Sequence, residues 1–258
     1  MEKKQNTVFL LKQWVPIIIF GSLLLYAIVA MIQRGNYFII PALAIAGIMI
    51  WRIYSGTTAE FNKLLKSSSP QPLIDFYDKK LGQAKMPHKD AHLMFSKAFA
   101  YTLYGDFDSA RAEADKIDWR QKPPFFQAQH MYLLALWAYL ENHEFQQGVN
   151  LAKEARRLAN ISKSFPGAKS SLDTYDTVID IGELLIGNSS ADTVARLESK
   201  IDKSPVVIKI LSAWGLEGFY IQAGQTEEAR KMREILTTYA PYCKGLSSIR
   251  NNKTNNHS

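Results

Sequence analysis

Two long apolar stretches follow each other almost directly at the start of the chain. They run from Trp14 to Ile32 and from Tyr37 to Trp51, with four residues between them. At about 1.5 Å per residue, the 19 residues of the first stretch would form a helix about 28 Å long, close to the hydrocarbon thickness of a bilayer. The second stretch is shorter, and Arg52 and Tyr54 would lengthen it by reaching into the interface. The pattern predicts a transmembrane helical hairpin.

The basic residues around this hairpin predict its orientation. Arg34 stands alone in the connecting loop, whereas six Lys and Arg residues flank the hairpin on its outer sides. These are Lys3, Lys4, Lys12, Arg52, Lys63 and Lys66. The positive-inside rule then places both chain ends in the cytoplasm, most simply at a bacterial inner membrane, with the flanking cations near anionic lipid headgroups. A cleaved signal peptide is the alternative, but the first stretch is longer than a typical h-region and a second span follows it.

The net charge is concentrated near the hairpin. The whole chain carries 31 Lys and Arg against 24 Asp and Glu, a net charge of +7. Residues 1–66 hold seven of the basic and two of the acidic residues, so the remainder is close to neutral. Membrane flanking explains the basic excess, and we expect no nucleic-acid partner.

The rest of the chain has the pattern of successive helices, with almost no strand-like alternation. Its breaks carry helix-terminal signals: Gly105, Gly187 and Gly224 suit left-handed exits from helices, while Asp106 and Thr226 suit N-caps. These features predict an all-α fold of stacked antiparallel helix pairs.

Three segments share an order of small and aromatic residues. They include Ala98-x2-Tyr101-x3-Gly105-x-Phe107-x2-Ala110, Leu136-x2-Tyr139-x5-Phe145-x2-Gly148-x3-Ala152 and Tyr220-x3-Gly224-x4-Ala229. This order resembles the tetratricopeptide repeat, and a degenerate fourth unit falls around residues 172–202. The resemblance implies an α-solenoid of about four tetratricopeptide-like helix pairs, with an irregular helical bundle as the alternative. Two departures are the 38-residue step from Phe107 to Phe145, against 34 in the family, and Glu217 at a position that is usually small.

These signals divide the chain into four parts. The predicted parts are a hairpin anchor at 1–55 with spans at about 14–32 and 37–54, a juxtamembrane linker and capping helix at 56–89, the repeat domain at 90–243 and a disordered tail at 244–258. The capping helix is expected over Leu73–Leu81, where apolar residues have helical spacing.

Catalytic chemistry is weakly indicated. His88 and His92 are four residues apart with Asp90 between them, but no HExxH pattern is present. Cys243 has no local base that would activate it. We therefore expect no metal site, no cofactor and no enzymatic activity.

The repeat register points to a candidate partner-binding surface. The resemblance implies that the first helix of each pair lines a concave groove, and the candidate residues there are mainly aromatic. They are His92, Phe95, Phe99, His130, Trp137 and Trp214. Such a groove would bind a partner helix or an extended apolar peptide. The alternative is that neighbouring helices bury these rings as core.

The predicted function is a membrane-anchored scaffold or adaptor that presents a cytoplasmic helical-repeat domain to a protein partner. The alternative is an accessory or assembly subunit of a membrane complex, held through the hairpin, whose second span has a small-residue face at Ala42, Ala46 and Gly47. An enzyme is the third possibility.

Overall fold

The computed structural model describes residues 59–165, 167–188 and 190–247. Within these ranges the chain consists of α-helices, two short 3-10 helices and connecting turns, without a strand. The all-α prediction is therefore confirmed for this part. The predicted spans at 14–32 and 37–54 lie outside the described residues. Among the described residues, no helix has the length and apolar character needed to cross a bilayer.

Residues 59–64 are helical and precede a series of longer helices. The longer helices are α1 (Gln71–Leu81), α2 (Lys89–Tyr104), α3 (Phe107–Ala114), α4 (Pro124–Leu140), α5 (Phe145–Ile161), α6 (Ala168–Leu185), α7 (Ala191–Lys203), α8 (Val206–Gln222) and α9 (Thr226–Tyr239). The 3-10 helices are Trp119–Gln121, between α3 and α4, and Lys244–Leu246, after α9. The helix expected at Leu73–Leu81 is α1, which starts two residues earlier and packs against α2.

The helices pack in a regular order. From α1 to α9, each helix contacts the one that follows it, apart from the step from α3 to α4, where a 3-10 helix intervenes. Because short connections join these neighbours, they run antiparallel. The even-numbered helices also pack on one another, α2 on α4, α4 on α6 and α6 on α8. We call α2, α4, α6 and α8 the even-helix row.

Local sequence explains several of the helix ends. Gly105, Gly187 and Gly224 have φ angles of +77°, +82° and +72°, so all three adopt the predicted left-handed conformation. Asp106 caps α3 as predicted, since its side chain accepts a hydrogen bond from the Ser109 backbone N–H. The prediction for Thr226 was wrong. Thr226 is the first residue of α9. The N-cap is Gln225, whose side chain makes no capping hydrogen bond.

Tight packing around Tyr139 joins α4, α5 and α6. A Cβ atom added to Gly148 of α5 would lie 2.0 Å from Tyr139 Cε1, and one added to Gly182 of α6 would lie 2.0 Å from the Tyr139 hydroxyl. The Tyr139 hydroxyl donates to the Val178 carbonyl at 3.0 Å. The small residues at 148 and 182 are therefore required for three helices to meet around one ring.

The described residues just before α1 and just after α9 both pack on the helical domain. Leu65 is completely buried, and the Tyr104 hydroxyl of α2 donates to the Ser67 carbonyl at 3.0 Å. At the other end, the 3-10 helix Lys244–Leu246 packs on α2, and Leu246 is buried. The packed residues thus include part of the predicted linker and extend past residue 243, after which the sequence prediction placed a disordered tail. Residues 248–258 lie outside the described part.

Glu217 explains one departure from the repeat pattern. Its side chain is buried in α8 and forms a two-point ion pair with Arg233 of α9, with Arg233 Nε donating to Glu217 Oε1 at 2.7 Å. Arg233 also donates to the Leu246 carbonyl at 3.3 Å. A position that is small in the repeat family instead helps fix the chain after α9.

Candidate binding cavity

A cavity of about 190 Å³ lies at the even-helix row, and all four helices of the row contribute to its wall. We call it the inner cavity. Its lining residues are Phe95 and Phe99 from α2, Gln129 and Tyr132 from α4, Ser171, Thr174 and Tyr175 from α6, and Val207 from α8. The cavity thus depends on the packing of the whole row and not on one helix pair.

Aromatic rings form most of the apolar wall. The Phe95 and Phe99 rings are stacked with centroids 6.1 Å apart, and Phe99 stacks on Tyr132 at the same distance. The Tyr175 ring lies 5.5 Å from that of Tyr132. Four rings from three helices therefore form one connected cluster, at separations typical of favourable aromatic pairs.

Two of the lining side chains contain polar atoms without a partner. Gln129 and Tyr132 are 8% and 3% exposed, and neither Gln129 Oε1 nor the Tyr132 hydroxyl has a hydrogen-bond partner among the described residues. Burial raises the pKa of Tyr132, so its hydroxyl stays protonated at neutral pH and can donate. Both atoms are themselves buried, and an unpaired buried polar group typically costs about 1 to 3 kcal/mol.

The described residues that line the inner cavity carry no charge. An ion transferred into such a wall would lose its hydration without gaining a counter-ion. The cavity therefore suits a neutral group that is mainly apolar.

The structure places the six sequence-predicted groove residues in different surroundings. Phe95 and Phe99 line the inner cavity. His92 instead packs on the Phe125 and Phe126 rings, with centroids 6.1 and 4.7 Å away. Burial, and then the nearby His88, lower the pKa of His92, which favours its neutral form.

His130 lies in a separate contact near the start of α4. Its ring stacks on Trp119 of the first 3-10 helix at 5.2 Å, and the Trp119 indole donates to the Ala114 carbonyl at 2.8 Å. Burial lowers the pKa of His130. Here the histidine helps pack the connection between α3 and α4.

Trp137 and Trp214 are buried side chains. The Trp137 indole donates to Thr102 Oγ1 at 2.7 Å, and the ring is 8% exposed. The Trp214 indole donates to the Ser247 carbonyl at 3.1 Å, and the ring is 2% exposed. Both side chains are thus buried, as expected under the alternative that neighbouring helices bury these rings as core.

Sequence reasoning missed the α4, α6 and α8 residues of the inner cavity. In α4 it selected His130 and Trp137, whereas Gln129 and Tyr132 line the cavity. One residue turns a helix by about 100°, so a register error of a single residue selects a different face. A usable signal was present, because the family's period of about 34 residues leads from Phe95 to Gln129.

Other parts of the described chain offer little chemistry. Burial raises the pKa of the Cys243 thiol to about 12, so the thiol stays protonated and unreactive at neutral pH. No group of three or more potential metal ligands occurs in the part that the structure describes. The sequence matches no protein-family model, no curated protein and no solved structure.

Proposed function

We propose that this chain is a membrane-anchored binding protein whose tetratricopeptide-like domain holds a segment of a protein partner at the even-helix row. The observation that carries the proposal is that one cavity is lined by all four helices of this row. In the repeat family that the sequence resembles, the first helices of successive pairs line the binding surface. The even-helix row corresponds to those first helices.

The order of packing supports a repeat of helix pairs. The pairs α2/α3, α4/α5, α6/α7 and α8/α9 follow one another, and their first helices pack side by side. The predicted turns at Gly105, Gly187 and Gly224 fall within three of the four pairs. These features favour a tetratricopeptide-like solenoid over an irregular bundle.

The composition of the wall supports recognition of a peptide. Pockets that accept a partner side chain are commonly apolar with a few polar groups, and interface energy is concentrated in such pockets. Phe95, Phe99, Tyr132 and Tyr175 supply the apolar surface, while Gln129 supplies an amide. The other predicted groove residues do not line this cavity, and partner binding through them stays a prediction. They are His92, His130, Trp137 and Trp214.

The anchor is supported by the sequence. The two apolar stretches and their flanking cations predict a hairpin that holds the helical domain at an anionic bilayer surface. Of the flanking cations, the structure describes Lys63 and Lys66, and both are exposed. A reporter that is active only in the cytoplasm should be active when fused at the C-terminus. Activity of a reporter that works only in the periplasm would refute the orientation.

A matched pair of variants tests the binding site. Ser170 and Ser171 are adjacent in the first turn of α6, and both hydroxyls donate to the Gly167 carbonyl. Ser171 lines the inner cavity, whereas Ser170 is exposed. Ser171→Trp should therefore obstruct the cavity, and Ser170→Trp should lose the same hydrogen bond without obstructing it.

The measurement is selection of random displayed peptides on the purified full chain in lipid nanodiscs. We expect peptides that bind the native chain and the Ser170→Trp chain but not the Ser171→Trp chain. Equal melting temperatures of the two variants would show that the loss is local. Failure to select any peptide, or equal binding by both variants, would refute peptide binding at this cavity and leave the accessory-subunit alternative.

A further inference from the structure

We infer that one surface of the helical domain docks on the anionic phospholipid headgroups of a bilayer. This surface consists of Lys66, Lys209 and Lys244 together with the Tyr239 ring, and we call it the lysine face. The inference rests on the membrane anchor of the proposed function and adds the surface through which the folded domain contacts the bilayer. It is carried by the convergence of the cations, their lack of acidic partners and the closeness of Lys66 in sequence to the predicted anchor.

Two of the cations meet at one aromatic ring. Lys209 Nζ of α8 lies 4.7 Å from the centroid of the Tyr239 ring of α9, and Lys66 Nζ lies 5.9 Å from the same centroid. An ammonium group over an aromatic face is attracted by the ring. Two positive charges from distant parts of the chain are thus held near each other, and their repulsion would be relieved by an anion between them.

The C-terminal end of α2 brings the third cation to Lys66. The Tyr104 hydroxyl donates to the Ser67 carbonyl at 3.0 Å, next to Lys66. A Cβ atom added to Gly105 would lie 3.4 Å from the Lys244 Cβ. The backbone at Lys66 and that at Lys244 are therefore both held at the same end of α2.

The lysine face has no acidic counterpart. None of its three cations forms an ion pair with an acidic residue in the part of the chain that the structure describes. On α5, α6 and α7, by contrast, ion pairs join neighbouring helices, such as Lys153 with Glu183 at 2.8 Å and Arg196 with Asp180 at 2.7 Å. The charges of those pairs cancel within the fold, whereas the lysine face keeps its positive charge for an external partner.

The predicted anchor makes a bilayer the source of the anion. Lys66 is the twelfth residue after residue 54, where the second predicted span ends. Twelve residues reach at most about 42 Å when fully extended, which limits how far Lys66 can be from the headgroups. Tyr242 is 51% exposed and lies two residues before Lys244, and tyrosine is enriched at membrane–water interfaces. Clustered lysines beside such an interface attract anionic lipids.

The experiment measures how fast a neutral amine-reactive reagent labels individual lysines of the full chain in nanodiscs, with mass spectrometry as the readout. Nanodiscs of phosphatidylcholine are compared with nanodiscs that also contain phosphatidylglycerol. We expect Lys209 and Lys244 to be labelled about fivefold more slowly with the anionic lipid, the factor that corresponds to about 1 kcal/mol of attraction per basic residue. Lys169 of α6 is exposed, lies outside the lysine face and should change little. Lys66 is no readout, because the anchor alone keeps it near the bilayer.

Charge reversal provides a matched pair of variants. Lys209 is the fourth residue of α8 and Lys169 the second of α6, and a carboxylate near a helix N-terminus is favourable, so the fold should tolerate Lys209→Glu and Lys169→Glu. With anionic lipid, Lys209→Glu should return the labelling of Lys244 towards its rate in neutral nanodiscs. Lys169→Glu should leave that labelling unchanged.

The possible outcomes separate the inference from the proposed function. Equal labelling of Lys209 and Lys244 in both kinds of nanodisc, or equal effects of the two variants, would overturn the docking surface and leave the anchor standing. A chain that does not insert into nanodiscs would remove the anchor and the inference together. Equal protection of these lysines by inorganic phosphate in neutral nanodiscs would assign the site to a soluble anion and would also overturn the inference.

Discussion

Two tyrosines of α4 lie in contrasting surroundings. Tyr132 and Tyr139 are seven residues apart, about two helical turns, so they project from nearly the same face of the helix. The Tyr139 hydroxyl donates to the Val178 carbonyl, and its ring fits between Gly148 and Gly182. Tyr132 is buried equally well, but its hydroxyl has no partner in the described structure and its ring borders the inner cavity.

The difference separates two uses of the same residue type. Around Tyr139 every polar and apolar requirement is met inside the fold, which is what close-packed protein interiors normally achieve. Tyr132 lies beside the inner cavity, and its buried hydroxyl has no hydrogen-bond partner in the described structure. We therefore expect a ligand in the inner cavity beside Tyr132, and a contribution to stability from the close packing around Tyr139.

The largest effect should come from filling the space beside Tyr139. Gly148→Leu would place a side chain where even a Cβ atom comes within 2.0 Å of the ring, so Tyr139 would have to leave its site. We expect the free energy of unfolding to fall by about 3 kcal/mol, at the upper end of typical overpacking costs. Chemical denaturation of the detergent-solubilised chain, followed by circular dichroism, measures it. The control is Gln147→Leu, because Gln147 is the exposed neighbour of Gly148. A similar fall in its unfolding free energy would contradict the packing argument.

Removing one hydroxyl from each tyrosine tests the comparison directly. Tyr139→Phe deletes a buried hydrogen bond and should cost about 1 to 2 kcal/mol of unfolding free energy. Tyr132→Phe deletes a hydroxyl without a partner and should change stability by about 0.5 kcal/mol or less, with a gain possible. Both values come from the same denaturation experiment. Equal losses would show that the two hydroxyls are equally satisfied.

The smallest effect concerns one added methylene group. Val207 borders the inner cavity, so Val207→Ile should be neutral or stabilise the fold by about 0.5 kcal/mol. Val149 is 1% exposed and lies 2.4 Å from the position of a Cβ at Gly182, so Val149→Ile should destabilise by about 1 kcal/mol. The melting temperature should thus stay unchanged or rise for Val207→Ile and fall for Val149→Ile. A loss of the same size at both sites would mean that the cavity is not available to an added group.

Most of the helical order was predictable because it is local. Glycine after a helix commonly adopts a left-handed conformation for local reasons, and Gly105, Gly187 and Gly224 do so, whereas Gly82 after α1 keeps a right-handed one. Asp106 could be assigned as a cap for the same reason. The start of α9 was misplaced by one residue, which is the usual uncertainty when capping side chains are read from sequence alone.

The candidate site was less predictable because it depends on rotation about each helix axis. Phe95 and Phe99, which the sequence analysis selected in α2, line the inner cavity. In α4 the selected His130 and Trp137 lie 38 residues after His92 and Phe99. Gln129, which lines the cavity, lies 34 residues after Phe95, so the 38-residue step selected a different face of α4. Trp137 is held by Thr102, a contact between helices that no spacing rule indicates.

The sequence by itself determined that the described domain is helical and where several of its helices end. It also determined that a strongly apolar pair of segments precedes this domain. Each of these features depends on residues close together in the chain. Only the tertiary structure decided which rings are core and which border a cavity. Tyr132 and Tyr139 have the same chemistry and the same helix, and they differ only in what α2, α5, α6 and α8 place opposite them. That arrangement is set by the packing of distant segments, so it cannot be derived from the local pattern of residues around either tyrosine.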